Sequence, residues 1–420
     1  MDQGNTAFLL FAAALVLLMT PGLAFFYGGL VKAKSVISMM MLSFGAIGLI
    51  GVLWVVYGYA ITFANDTGID GVIGIDWGAI GLANLLEAPE GAAYPPIAFA
   101  AFQATFAIIT VALISGAIAD RAKFGAWMIF AGVWATLVYF PVASWVFNFS
   151  LAEDGSFSNG GWITYGMQEV FGAGAIDFAG GTAVHINAGA AALALALVLG
   201  KRVGFAKGAH VPHNPPFVLL GAGLLWFGWF GFNAGSELAA DNVAAIAFMN
   251  TIAAPAAALL AWLVVEKIRD GKPTSIGAAS GAVAGLVAIT PACASLTPGW
   301  AILLGVIAGA LCALAVDLKF KLGFDDSLDV VGIHLVGGLI GTLYLGFFAN
   351  GVGLFTGGDA TQLMVQAIAA FAVMIYSFVV AYIVGFAIEK TIGFRVKEED
   401  EIAGIDPIVH GEAGYVLDAK

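Results

Sequence analysis

The sequence predicts an all-α polytopic membrane protein with eleven transmembrane helices, built as a 5+5 inverted repeat plus one extra helix. Three observations predict it. Hydrophobic residues make up 61% of the 420 positions and charged residues only 10%, against roughly 45–50% and roughly 25% in soluble proteins. Eleven apolar runs are long enough to cross a hydrocarbon core, which takes about 17–25 residues. All 16 Lys and Arg follow odd-numbered runs, so they share one face. An ordinary soluble enzyme, a nucleic-acid binder and a disordered chain are excluded.

The first run covers 6–31. It has no basic segment ahead of it, and Lys32 and Lys34 follow it, so it reads as a retained span and not a signal peptide. The next four runs cover 37–63, 96–119, 125–148 and 178–200. Arg121 and Lys123 follow the third, and Lys201, Arg202 and Lys207 the fifth. Runs six to nine cover 217–236, 243–266, 274–294 and 300–318. Lys267, Arg269 and Lys272 follow the seventh, and Lys319 and Lys321 the ninth. Runs ten and eleven cover 330–349 and 361–388, and the tail carries Lys390, Arg395, Lys397 and Lys420. By the positive-inside rule this face is cytoplasmic, which puts the N-terminus outside and the C-terminus inside.

The opposite segments hold no Lys or Arg. They hold Asp2, Asp66, Asp70, Asp76, Glu87, Glu90, Glu153, Asp154, Glu169, Glu237, Asp241 and Asp359. These acids read either as a solvated outer face or as a negative vestibule that concentrates cations.

Two segments resemble each other. Asp177 stands eight residues before His185 and Gly189 four after it; Asp326 stands eight before His334 and Gly338 four after it. They lie in runs five and ten. The chain divides into halves of 6–200 and 217–349, with 361–388 added. Five is odd, so the halves insert with opposite topology. Eight residues span ~12 Å of helix, which places both imidazoles near the middle of a core about 30 Å thick. One intramembrane histidine reads as a helix–helix hydrogen-bonding group. Two at matched positions, among only 5 His, read as a pathway or proton relay.

Cys293 and Cys312 read as small buried hydrophobes. No Cys/His cluster has metal-ligand spacing and no phosphate-binding loop follows a strand pattern. No metal, cofactor, enzymatic activity or ATP-driven pumping is expected. Polar residues inside spans are few and include Gln103, Thr105, Thr110, Asn187, Asn233 and Ser236. Phe102, Phe106, Trp145, Phe147, Trp226, Trp229, Phe230 and Phe232 read as lipid belts, as packing, or as ring faces for a cation at the outer mouth. Periodicity alone does not select among them.

At these residues the sequence resembles the ammonium transporters of the Amt/Mep/Rh superfamily, on the bacterial Amt side. The carrying segments are Asp177-Phe-Ala-Gly-Gly-Thr-Ala-Val-His185-Ile-Asn, Gly228-Trp-Phe-Gly-Phe-Asn-Ala-Gly-Ser236, Thr290-Pro-Ala-Cys293 and Asp329-Val-Val-Gly-Ile-His334. Pro21-Gly-Leu-Ala-Phe-Phe-Tyr-Gly-Gly29 and the tail His410-Gly-Glu-Ala-Gly-Tyr415 strengthen it. The resemblance implies a homotrimer in the plasma membrane, in contact with lipid, with one narrow pore per subunit and ammonium or ammonia as substrate. It implies that Ser236, Phe102, Phe106, Phe147 and Asp177 form the outer recruitment site, Asp177 by shaping it. It implies that Phe106 and Phe232 close the pore and that His185 and His334 line it. Where many members carry Trp, this chain has Phe147, with Trp145 two residues before. Phe is the weaker cation–π partner. Either Phe147 forms the wall or the 151–171 stretch contributes another.

The mechanism expected from these residues is recruitment of ammonium, deprotonation near the Phe106/Phe232 pair and passage of ammonia past the histidines, with the proton relayed separately. The alternatives are an ammonium sensor and a passive gas channel of the Rh type. The sequence continues 32 residues past the last run, so no appended signalling domain is expected. Residues 1–390 read as the transporter domain and 391–420 as the tail. The tail reads as a solvated end, or, by the resemblance, as a cytoplasmic regulatory segment that touches neighbouring subunits and works with a PII-family signalling protein.

Overall fold

The computed structural model describes residues 1–64, 68–69, 71–151, 157–205 and 211–415. Asp66, Asp70, Glu153 and Asp154 of the acidic set, and Lys207 and Lys420 of the basic set, lie outside the described residues.

Among the described residues, ten helices are long and apolar enough to cross a membrane. They are α1 (Gln3–Leu30), α2 (Ala33–Thr62), α3 (Pro96–Ile118), α4 (Phe124–Phe147), α5 (Gly181–Leu199), α6 (Pro215–Glu237), α7 (Asn242–Arg269), α9 (Pro298–Leu322), α10 (Val331–Phe348) and α11 (Ala360–Thr391). The eighth apolar helix, α8 (Ser275–Ile289), is shorter. The sequence reading extended it to 294. It stops at Ile289 because Pro291 follows and cannot donate a backbone hydrogen bond. The Cys293 and Leu296 carbonyls freed by the turn accept from Nδ2 of Asn250 on α7, both at 2.8 Å.

The two halves meet pairwise. The first helix of each half, α1 and α6, pack along each other. Small residues permit the approach: a Cβ at Gly22 would lie 3.2 Å from the Leu225 nitrogen, and one at Gly221 would lie 2.6 Å from the Phe26 Cα. The fifth helices, α5 and α10, pair in the same way. A Cβ at Gly189 would lie 2.5 Å from the Leu335 nitrogen, and one at Gly338 would lie 3.0 Å from Ile186 Cγ1. Each glycine four residues after a histidine therefore touches the residue one after the other histidine, which explains the repeated spacing. At Gly189 the obstacle is backbone, while at Gly338 it is mostly side chain. Gly189→Ala is expected to lower stability by about 1–3 kcal/mol, the usual cost of overpacking, and Gly338→Ala by less. Thermal unfolding of the purified proteins checks the order; equal loss at both positions contradicts it.

The acidic face has a local cause. Asp2, Asp241 and Asp359 cap the N-termini of α1, α7 and α11 with side-chain hydrogen bonds. Odd-numbered helices start on that face, and an aspartate there satisfies orphan N–H groups and the helix dipole. The basic face is less open than a count of charges implies. Arg121 and Arg202 are 0% and 6% exposed. Arg202 grips Asp325 through Nε and Nη2, both at 2.9 Å, and reaches Asp120 at 3.2 Å. Burial raises the Asp325 carboxyl, but the bonds and charge of Arg202 outweigh it and hold the group below its ordinary range. Burial pulls the Arg121 guanidinium down to about 10. Its Nη2 donates to the Asp325 and Ala117 carbonyls at 2.6 and 3.0 Å.

The described part of the tail, to Tyr415, is anchored on this face of the same chain through a few buried contacts, while many of its residues stay exposed. Its short helix α12 (Glu398–Ala403) carries Glu401. That carboxylate is 1% exposed and accepts from Val203 N and Arg395 Nη2 at 2.6 and 2.7 Å. Asp406 accepts from the backbone N–H groups of Ile37 and Ser38 at 3.0 and 2.7 Å, which caps α2 from a distant part of the chain. The Tyr415 hydroxyl lies 2.8 Å from His213 Nε2 and 3.3 Å from Asn214 Nδ2.

Candidate functional site

The site forms where α5 and α10 cross. Both helices open with a π-helical turn, Gly181–Ile186 and Val331–Leu335, and each turn ends beside its histidine. An aspartate precedes each turn. The Asp326 carboxylate accepts from Val330 N at 3.1 Å and Val331 N at 2.7 Å. Asp177 accepts five donors: the N–H groups of Gly180, Gly181, Thr182 and Ala183, and the Thr182 hydroxyl. Gly180, at φ +116°, supplies the left-handed residue that lets the chain curl over the carboxylate. The seven residues between each Asp and His are thus not a continuous helix. Only the stretch from Gly181 is helical before His185, so the ~12 Å depth argument fails for that segment. A loop folded onto its own cap replaces it.

The histidines nonetheless meet. His185 Nδ1 lies 3.2 Å from His334 Nδ1, and the rings are 5.3 Å apart at 26°. They are 1% and 3% exposed. In a neutral pair one Nδ1 donates and the other accepts, so the two rings hold opposite tautomers. His185 Nε2 has no partner among the described residues. The rings border a cavity of about 10 Å³, otherwise lined by apolar side chains such as Leu23, Phe26, Ile109 and Val283. That is room for about one water-sized molecule.

Phe232 and Phe106 stack next to it, with centroids 4.2 Å apart at 17°. Phe232 is 6.1 Å from the His185 ring. Phe102 and Phe147 stand edge-on to Phe106 at 4.9 and 6.3 Å. The structure therefore brings Phe102, Phe106, Phe147 and Phe232 into one aromatic cluster ending at the histidines. Trp145 points elsewhere: its Nε1 donates to the Val72 carbonyl at 2.6 Å and its ring meets Trp162 and Tyr376. Within the 151–171 stretch, strand β2 (Phe157–Gly160), paired with β1 (Phe149–Leu151), leads into Trp162, which packs on Trp145. Ser236 is half-buried one turn beyond Phe232 and donates to the Phe232 carbonyl at 2.8 Å. No hydrogen bond joins Ser236 to Asp177 among the described residues.

Trp229 belongs to the site, and its sequence alone leaves it open among lipid belt, packing and a ring face for a cation. Its ring stacks on His185 at 5.5 Å and 23° and lies 5.6 Å from Phe232. Nε1 donates to the Thr290 hydroxyl at 2.9 Å, which fixes the indole plane. The available signal was spacing: Trp229, Phe232 and Ser236 stand at i, i+3 and i+7, one stripe of a helix. No group of three or more His, Cys, Asp or Glu among the described residues is placed to hold a metal ion.

A family model described as Ammonium Transporter Family matches residues 7–415. The chain is 55% identical to an ammonium transporter of Mycobacterium tuberculosis over 441 aligned positions, covering 99% of this chain and 90% of that protein. A solved structure titled Sensor Amt Protein superposes with a TM-score of 0.88 at 28% identity, covering 97% of this chain and 98% of that one. Saccharomyces cerevisiae Mep2 superposes with a TM-score of 0.82 at 35% identity, covering 95% and 91%. The chain belongs to the ammonium transporter family.

Proposed function

We propose that this chain recruits ammonium at the aromatic cluster, strips its proton near the Phe106/Phe232 stack, and conducts ammonia past His185 and His334 while the proton crosses separately. One observation carries the reading: two facing imidazoles border an apolar cavity of about 10 Å³ directly behind a closed phenylalanine stack. A cavity that size has no room for a hydration shell. Burying an unpaired ammonium there costs tens of kcal/mol by Born solvation, so the ion neutralises instead. Ammonia can still exchange hydrogen bonds with either ring.

In this reading the acidic face is outside and the basic face cytoplasmic, in agreement with the distribution of Lys and Arg. Phe102, Phe147 and the Ser236 hydroxyl hold the ion by ring faces and a hydrogen bond, and Asp177 shapes the site through the backbone it caps. The working form is a homotrimer in the plasma membrane. Residues 391–420 form the regulatory tail behind a transporter domain of 1–390, with a PII-family signalling protein as its cytoplasmic partner.

The test is electrical. Proteoliposomes holding the wild-type chain are expected to give an ammonium-evoked current that saturates with concentration, with methylammonium as a weaker substrate. A pH change inside the vesicles without any current supports a passive gas channel and overturns the separate proton path.

A further inference from the structure

Helix α11 carries two glutamines in an apolar stretch. Gln362 and Gln366 are 5% and 0% exposed. A buried amide must find partners for all its donors and acceptors, and Gln366 finds four. Its Oε1 accepts from Ile176 N at 2.6 Å and from Gln362 Nε2 at 3.1 Å. Its Nε2 donates to the Ile176 and Thr342 carbonyls at 2.8 and 3.0 Å. Gln362 Nε2 also donates to the Gly174 carbonyl at 3.2 Å. Ile176 offers one N–H and one C=O side by side, so the amide fits in only one orientation.

The position of Ile176 gives this clamp its meaning. It directly precedes Asp177, and on the other side the Phe178 N–H donates to the Pro291 carbonyl at 3.2 Å. Asp177 is thus held between two anchors on its flanking backbone, one of them a side chain from outside both repeat halves. Thr342 lies on α10, eight residues after His334. One amide therefore ties the Asp177 segment to the helix that carries His334.

We propose that Gln366, braced by Gln362, is a positioning residue for ammonium recruitment: it sets the backbone on which the Asp177 carboxylate and its capped turn are built. The inference rests on the recruitment role proposed above for Asp177. A glutamine that only fills space would affect stability and leave affinity alone. One that positions the site changes the ammonium concentration needed for half-maximal current.

Currents are recorded from proteoliposomes of the full chain across a range of ammonium concentrations, with thermal unfolding measured on the same preparations. Gln366→Leu is expected to raise the half-saturating concentration about 5-fold or more, with the maximal current kept within about 2-fold, because the lost bonds are buried. Gln366→Glu provides the conservative rescue. In its neutral form it can donate to Ile176 again, and burial favours that form. Its half-saturation is expected to match wild type at about pH 6 and to depart from it at about pH 8, with wild type measured at both. If Gln366→Leu fails to insert, Gln362→Leu, which leaves three of the Gln366 contacts in place, is expected to shift half-saturation in the same direction by less. Lower stability with half-saturation unchanged in these variants overturns the proposal and makes both glutamines packing groups. Full current from Asp177→Ala sinks the recruitment reading instead, and needs neither glutamine variant to show it.

Discussion

Asp177→Ala is expected to reduce ammonium-evoked current by at least about 100-fold, the scale of two hydrogen bonds to a charged acceptor at about 1.5 kcal/mol each. The carboxylate accepts five donors within seven residues of chain. Four of them are the first N–H groups of the turn that carries His185, and all four are orphans without a cap. Thr182 is 1% exposed, so its hydroxyl loses its acceptor in a place water does not reach. The turn then relaxes toward other partners, and His185 lies only a few residues further on. Asp177→Asn keeps one carbonyl oxygen and the same shape, and is expected to lose less. The measurement is current per inserted protein, with thermal unfolding alongside. A variant that melts earlier but conducts like wild type reduces Asp177 to a helix cap with no part in transport.

Much of this was legible in the sequence because a bilayer imposes simple rules. An apolar run in lipid must be a helix, and so ten of eleven expected spans appear at nearly their expected limits. The eighth was overextended because apolar residues continue past Pro291, and hydropathy does not see a missing donor. The twin segments were legible as a spacing but not as a shape. A step of eight from Asp to His suggested a length of helix, whereas the glycines at 180 and 181 let the chain fold back onto the carboxylate. No periodicity encodes a π-helical turn, because it depends on tertiary partners as much as on local preference. The charge count identified a face but not its interior: Arg121, Arg202 and Glu401 are buried in ion pairs and backbone contacts and do not meet solvent. Gln366, and the place of Trp229 beside His185, were not legible for a related reason. Each looks ordinary on its own helix, and its importance lies in what a distant segment presents to it, an Ile176 peptide in one case and the His185 ring in the other.

His185→Ala and His334→Ala are each expected to lower ammonium-evoked current more than about 10-fold while intravesicular pH still changes on ammonium addition. The contacts separate the two readouts. The pair is joined Nδ1 to Nδ1 at 3.2 Å, so a proton delivered to one ring can be passed to the other only while both are present. Removing either ring leaves a lone Nδ1 facing apolar side chains, at about 1–3 kcal/mol for an unpaired buried polar group. It also widens a cavity that held only about one water-sized molecule. Widening favours neutral ammonia, which needs space and little else. It does nothing for the proton, which has lost its relay and meets the Born cost of an apolar passage. A variant without relay therefore conducts gas and little charge. Full current in both single variants sinks the relay, because no arrangement of one remaining imidazole reproduces a two-ring hand-off.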